Sequence, residues 1–91
     1  MAVEILMPKL GMTMEEGKLI EWSKAEKDQV NKEELLFIIE SDKVTFEVGA
    51  PASGILAILK DPDEIYRVGE LLAYLADSEQ EYESIKEKIK N

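Results

Sequence analysis

The chain has 91 residues, a formal net charge of -9, and neither cysteine nor histidine. Its length allows one small domain, and a hydrophobic content of 45% with 34% charged residues is typical of a soluble globular protein. The missing residue types exclude disulfides, thiolate nucleophiles, imidazole bases and His-ligated zinc.

Nucleic-acid binding, membrane insertion and secretion are not predicted. The net charge is acidic, whereas proteins that bind nucleic acid carry basic surfaces. The purely apolar runs, such as residues 35–39, are far too short to cross a bilayer. No basic segment followed by an apolar one opens the chain, so no secretory signal is indicated. The acidic charge favours either plain solubility or docking on a basic partner surface, and both interpretations stay open.

The first predicted strand covers residues 2–7, an apolar stretch that ends before a proline. A loop over residues 9–16 follows and contains three apolar side chains. We expect Met14 to fold back onto the core. Leu10 and Met12 have two interpretations, core packing or contact with a partner protein, because methionine in particular adapts to irregular surfaces.

A second strand is predicted over residues 18–23, with Leu19 and Trp22 as core residues, and a charged turn follows at residues 24–28. The next stretch, residues 35–48, is the most informative, because two β-prone runs there flank a short polar segment. We therefore predict a β-hairpin.

In the second run of this hairpin, Val44, Phe46 and Val48 alternate with polar residues, which predicts a strand with one buried face. Lys43 falls near the tip, held out where another protein's pocket can receive it. An exposed, unmodified lysine is almost entirely protonated and a poor nucleophile. Lys43 is therefore interpreted as an acceptor of modification, and the alternative is a plain solvated lysine.

The second half of the chain faintly repeats the first. Glu33-Glu34-Leu35-Leu36 matches Gly69-Glu70-Leu71-Leu72, and strands are predicted again at residues 55–59 and around residues 66–75. Two copies of a four-strand unit would bury two weak apolar faces against each other. We predict an all-β sandwich or flattened barrel with quasi-twofold symmetry. The acidic turn at residues 60–64 lacks the ligand spacing of an EF-hand and is interpreted as solvated.

The last segment, residues 78–91, has a different character. Ser78 and Glu81 form a capping box, and apolar residues then recur at helical spacing. A helix this short is marginal by itself in water. We interpret the segment as the start of an interdomain linker, possibly helical, after a domain at residues 1–77. The alternative is a helix packed on the sandwich.

Several motifs in the right order resemble one family. Glu40-Ser41-Asp42-Lys43-Val44 resembles the Glu-Thr-Asp-Lys-Ala signature of lipoyl domains, the swinging-arm carriers of 2-oxo acid dehydrogenase complexes. The segments Met7-Pro8-Lys9-Leu10-Gly11, Met14-Glu15-Glu16-Gly17 and Gly49-Ala50-Pro51-Ala52-Ser53-Gly54 also resemble the family's pattern. The resemblance runs from about residue 3 to residue 76.

The resemblance implies a flattened barrel-sandwich of two four-stranded antiparallel sheets, with lipoate attached covalently to Lys43. It implies that Glu40, Asp42 and Val44 serve recognition around that lysine, and that Leu10 and Met12 lie in a loop which the decarboxylase reads.

The implied protein is a dihydrolipoamide acyltransferase, of which this domain is a carrier without catalytic activity of its own. The implied partners are a thiamine-diphosphate-dependent decarboxylase, a dihydrolipoamide dehydrogenase, the acyltransferase core and a lipoate ligase, with the isolated domain a monomer. The implied location is the cytoplasm of a prokaryote, or the mitochondrial matrix of a eukaryote.

The chain departs from the family at three turns, where Lys27, Glu33 and Asp63 stand in place of the usual glycines. If these positions need a positive φ, each non-glycine residue costs roughly 1 kcal/mol.

Two alternatives follow for function. One is a biotinyl carrier, although such domains place methionines beside the lysine. The other is an unmodified lipoyl-like module that only docks to partners.

Overall fold

The structure, a computed structural model, describes residues 1–90. Eight strands and one helix follow one another along this part of the chain. They are β1 (Val3–Leu6), β2 (Glu16–Trp22), β3 (Gln29–Val30), β4 (Leu35–Ser41), β5 (Val44–Gly49), β6 (Gly54–Ile58), β7 (Glu64–Arg67), β8 (Leu71–Ala76) and α1 (Glu79–Lys90). The two-residue strand β3 was not predicted, because the sequence around Val30 offers too short an apolar run.

The strands form two four-stranded antiparallel sheets, in the orders β1-β8-β6-β3 and β5-β4-β2-β7. Strands at the same position in the two orders correspond to each other, so that β1 corresponds to β5, β8 to β4, β6 to β2 and β3 to β7. The predicted sandwich with quasi-twofold symmetry is therefore confirmed. The two sheets stay separate and do not close into one barrel.

The core lies between the two sheets and takes alternate residues from each strand. Leu19 is fully buried there, and Trp22 packs at its edge with its ring centroid 5.3 Å from that of Phe37. Met14 is buried as well, which confirms that this loop residue folds back onto the core. Phe46 and Val48 of β5 pack against the same cluster, as their alternation predicted. The prediction of a buried face is wrong for Val44, which is 52% exposed beside the turn.

The three turns that lack the expected glycine all adopt the left-handed conformation. The φ angles are 72° at Lys27, 76° at Glu33 and 67° at Asp63. Gly69, which precedes β8 as Glu33 precedes β4, has a φ of 90°. The turns therefore have a backbone conformation that favours glycine, and each non-glycine residue carries about 1 kcal/mol of strain.

Residues 79–90 form a helix that packs on the outer face of the β1-β8-β6-β3 sheet. The Glu81 N–H donates to Ser78 Oγ at 3.1 Å, which caps the first turn. Tyr82 is 5% exposed and packs against Ala57 and Ala76. The packed arrangement is therefore observed, whereas the boundary at residue 77 and a linker role for residues 78–91 stay predictions. Within residues 1–90, no helix is long and apolar enough to cross a membrane.

Candidate functional site: the lysine hairpin

The predicted hairpin is present, and its loop contains only two residues. Strands β4 and β5 stay paired up to Ser41 and Val44, which leaves Asp42 and Lys43 between them. Both have positive φ, 51° at Asp42 and 65° at Lys43. Positive φ at both central residues defines a type I′ turn, whose twist matches that of the flanking strands.

This turn explains how Lys43 is presented. Aspartate tolerates the left-handed conformation better than most residues, whereas lysine has no such advantage. The strain at Lys43 is accepted because the paired strands on both sides determine the backbone. Lys43 is exposed. Its ammonium group therefore stands at a defined point on the surface, at the end of two hydrogen-bonded strands.

An open groove of about 250 Å³ adjoins Lys43. It is lined by the start of β2, the end of β4, the hairpin turn and one residue of β7. The lining residues are Glu16, Gly17, Lys18, Glu40, Ser41, Asp42, Lys43 and Ile65.

Three of these residues form a row across the outer face of the sheet. Lys18 on β2 pairs in register with Glu40 on β4 and with Ile65 on β7. Glu40 is half-buried, and Asp42 is exposed in the turn. The groove therefore combines carboxylates, lysine ammonium groups and one apolar wall.

Gly17 sits where a side chain would disturb this region. A Cβ atom there would come within 2.9 Å of Met14 Cε and 3.2 Å of Met7 Sδ. Because Gly17 also lies close to the Glu40 carbonyl, the absence of a side chain lets the loop residue Met14 pack beneath the groove.

The loop over residues 9–15 is anchored by Met14, whose Sδ accepts a hydrogen bond from the Leu10 N–H at 3.3 Å. Leu10 is 44% exposed and Met12 is 95% exposed, so core packing is wrong for Met12. Neither residue lines the groove beside Lys43. Val44, 52% exposed, flanks the lysine on β5 but also stays outside the groove lining.

Two groups with shifted pKa values, Glu26 and Tyr82, lie where helix α1 packs on the sheet. Burial, together with a hydrogen bond to the Glu26 carboxylate, raises the pKa of Tyr82 to about 12. Burial opposes ionisation of Glu26, but hydrogen bonds from Tyr82, the Ile58 N–H and Lys86 hold the pKa of that carboxyl below its usual value. Within residues 1–90, no group of three or more histidine, cysteine, aspartate or glutamate side chains is placed to hold a metal ion.

Comparison with known proteins agrees with this geometry. The biotin/lipoyl family model, described as "Biotin-requiring enzyme", matches residues 3–75. The chain belongs to this family. A solved lipoyl domain, that of the 2-oxoglutarate dehydrogenase complex from Azotobacter vinelandii, is 34% identical with a TM-score of 0.69. The match covers 84% of this chain and 98% of that domain, so the chain is of the lipoyl-domain type.

Longer proteins contain similar lipoyl domains. A chloroplastic dihydrolipoyllysine-residue acetyltransferase component of the pyruvate dehydrogenase complex from Arabidopsis thaliana is 41% identical over 86 residues, which is 93% of this chain and 18% of that protein. The corresponding component of the acetoin cleaving system from Pseudomonas putida is 40% identical over 82 residues, which is 89% of this chain and 22% of that protein. The chain spans about a fifth of the length of these curated relatives.

Ile65 lines the groove beside Lys43 but was not among the residues predicted for the site. Ile65 is 61% exposed and shares the groove with Lys43, although the two are far apart along the chain. A signal was present, since a strand was predicted to begin around residue 66, and neighbouring residues in a strand face opposite sides of the sheet. The sequence does not show that β7 pairs with β2 beside the hairpin.

Proposed function

We propose that this domain accepts lipoate on Nζ of Lys43 and carries acyl groups within a dihydrolipoamide acyltransferase. The observation that carries the proposal is the exposed lysine at the tip of a two-residue hairpin, in a chain of the lipoyl-domain type. Attachment forms an amide between the lipoate carboxyl and Lys43 Nζ, which loses its positive charge. A ligase that uses ATP must supply the activated carboxyl and remove the proton.

The domain acts as a tethered substrate and is not an enzyme by itself. The lipoyl arm is reductively acylated by a thiamine-diphosphate-dependent decarboxylase. The arm then passes the acyl group to the acyltransferase core and is reoxidised by a dihydrolipoamide dehydrogenase. The contribution of the domain to these steps is a high effective concentration of the arm at each site.

We infer the residues that partner proteins recognise from their positions near Lys43 and from their exposure to solvent. We assign Glu40, Asp42 and Val44 to recognition by the ligase and the decarboxylase, and Leu10 and Met12 to the loop that the decarboxylase contacts. The exposure of Val44 and Met12 supports this assignment, because large apolar side chains in water are available to a partner.

The parent protein and its location are part of the same proposal. The relatives from pyruvate dehydrogenase and acetoin-cleaving systems support an acyltransferase parent. As its location we propose the cytoplasm of a prokaryote or the mitochondrial matrix of a eukaryote. We propose residues 1–77 as the carrier domain, monomeric when isolated, and residues 78–91 as the start of the connection to the rest of the parent.

Intact mass spectrometry with peptide mapping tests the attachment site. After incubation with ATP, lipoate and a lipoate ligase, we expect one lipoyl adduct confined to the peptide that contains Lys43. The variant Lys43→Arg keeps the charge and should fold normally but show no adduct. An adduct that persists on Lys43→Arg would refute the assignment. A biotin ligase run in parallel distinguishes the biotinyl carrier, and a folded domain without any adduct would indicate the docking module.

A further inference from the structure

The groove beside Lys43 contains an apolar feature that the fold does not require. On β7, Tyr66 faces inward and is buried, with its hydroxyl donating to the Asp61 carbonyl at 2.6 Å. Ile65 therefore faces outward, and its side chain is 61% exposed. An isoleucine that exposed adds little to the core, so its place in the groove is available for a ligand.

The wall next to Ile65 is compatible with a neutral, apolar group. Lys18 lies beside Ile65 in register and presents a four-carbon stem before its ammonium group reaches water. Gly17 contributes no side chain to the lining. The groove, at about 250 Å³, is smaller than the roughly 300–1,000 Å³ pockets that hold drug-sized ligands. It suits the end of a small chain better than a whole cofactor.

The occupant is indicated by the residue at the groove's other side. Lys43 itself lines the groove, so any group attached to its Nζ is delivered there without a separate binding partner. A tethered ligand has a high effective concentration, and a weak contact is enough to populate its bound position. The lipoyl arm is neutral and ends in an apolar cyclic disulfide.

We propose that this groove is a resting site for the dithiolane ring of the lipoyl arm, held against Ile65 and the stem of Lys18. The inference rests on the proposed function, because it needs the arm on Lys43. The contact is reversible, since the groove is open to solvent and the arm must leave it to reach partner enzymes. While the arm is away from partner enzymes, the dithiolane is partly shielded from solvent. The outward-facing side chain of Ile65 controls the fraction of time that the ring spends in the groove.

Nuclear magnetic resonance on the lipoylated domain tests the resting site, once mass spectrometry has confirmed the adduct on Lys43. In protein with 13C-labelled isoleucine methyl groups, we expect nuclear Overhauser effects between the dithiolane protons and the Ile65 methyls. We also expect lipoylation to shift the amide resonances of Gly17, Lys18 and Ile65, beyond the shifts at the turn itself.

The variant Ile65→Thr keeps a β-branched side chain suited to a strand and removes most of the apolar surface. We expect it to lose the remote amide shifts while the adduct still forms. Leu35→Thr is the matched control, because Leu35 is also exposed but lies at the opposite end of β4 from Lys43, and it should keep these shifts.

The two proposals fail in different ways. An absent adduct on folded protein would overturn the carrier function and the resting site with it. An adduct whose amide shifts stay within residues 42–44, or are the same in Ile65→Thr, would overturn the resting site alone.

Discussion

Two corners of the molecule occupy equivalent positions, but one is an exposed turn and the other leads into a packed helix. Under the quasi-twofold relation, the end of β4 corresponds to the end of β8. At the first corner the chain turns through Asp42 and Lys43 into β5, and both residues are exposed. At the second corner the chain continues past Ser78 into helix α1, which packs back on the sheet.

The helix corner is held by many side-chain contacts. Lys27 Nζ lies 3.4 Å from a Glu79 carboxylate oxygen and 5.7 Å from the centroid of the Tyr82 ring. The Tyr82 hydroxyl donates to the Glu26 carboxylate, which also lies 3.2 Å from Lys86 Nζ. The strained turn at Lys27 is thus tied to the helix through the very side chain that replaces glycine.

The comparison shows two ways in which the fold holds a non-glycine residue in the left-handed conformation. At Lys27 the side chain makes ion-pair and cation–π contacts that offset part of the backbone strain. At Lys43 no ion pair holds the side chain among the contacts found in residues 1–90, and the paired strands alone maintain the turn. The second arrangement leaves the lysine available for chemistry.

The largest effect should come from breaking the helix corner. Replacing Tyr82 with alanine removes a buried ring from the contact with Ala57 and Ala76, and large-to-alanine changes at buried aromatic positions cost about 3 kcal/mol. Urea unfolding should show this loss. Lipoylation of Lys43 under native conditions should be unchanged, because the helix packs on β6 and β8 and the hairpin belongs to the other sheet. A loss of lipoylation in protein that is still folded would contradict the independence of the two corners.

A smaller effect should come from exchanging residues between the symmetry-related turns. Glu33→Gly relieves the left-handed strain and should stabilise the domain by about 1 kcal/mol, less the extra chain entropy of glycine. Gly69→Ala is the mirror experiment and should destabilise by about 1 kcal/mol. At Gly69 no atom lies within 4 Å of an added Cβ, so this variant measures backbone strain and the lost chain entropy of glycine, without a steric clash. Midpoints in urea that move in the same direction for both variants would disprove the strain account.

Lys27→Gly sharpens the same comparison. It relieves a similar φ but also removes the contacts to Glu79 and Tyr82, so its gain should be smaller than that of Glu33→Gly. Parallel urea titrations of the two variants measure the difference. Equal gains would show that the contacts of Lys27 contribute nothing to stability.

A separate test of the helix corner concerns pH. Because the pKa of Tyr82 rises to about 12 in the folded protein from an ordinary value of 10.0, its stabilising contribution is complete below pH 10 and is lost as pH rises toward 12. The pKa of Glu26 is lowered, so its contribution is present above its ordinary value of 4.5 and is lost as the pH falls through the folded value. Unfolding free energies measured across both ranges should show these declines. Tyr82→Phe should reduce the alkaline one, and the remainder comes from Tyr66, whose pKa is also raised by burial.

The sequence predicted the elements that depend on local pattern. The alternation in residues 44–48 and the two β-prone runs were enough to place the hairpin and Lys43 at its tip. The three replaced glycines were identified from the sequence, and the structure shows that all three positions have positive φ. The prediction was weaker for β3, since a two-residue strand leaves no periodicity to detect. It was also weaker for Ile65, whose place in the groove depends on the pairing of β7 with β2, a strand distant in sequence.

By itself, the sequence determined that one small all-β domain would form with an exposed lysine at a hairpin, because alternation and turn residues act over a few neighbours. Only the tertiary structure decided which strand lies beside that hairpin, and so placed Ile65 in the groove with Lys43. It likewise decided that residues 79–90 pack as a helix on the sheet. A short amphipathic helix is marginal alone, and its position depends on the apolar surface that the folded sandwich provides.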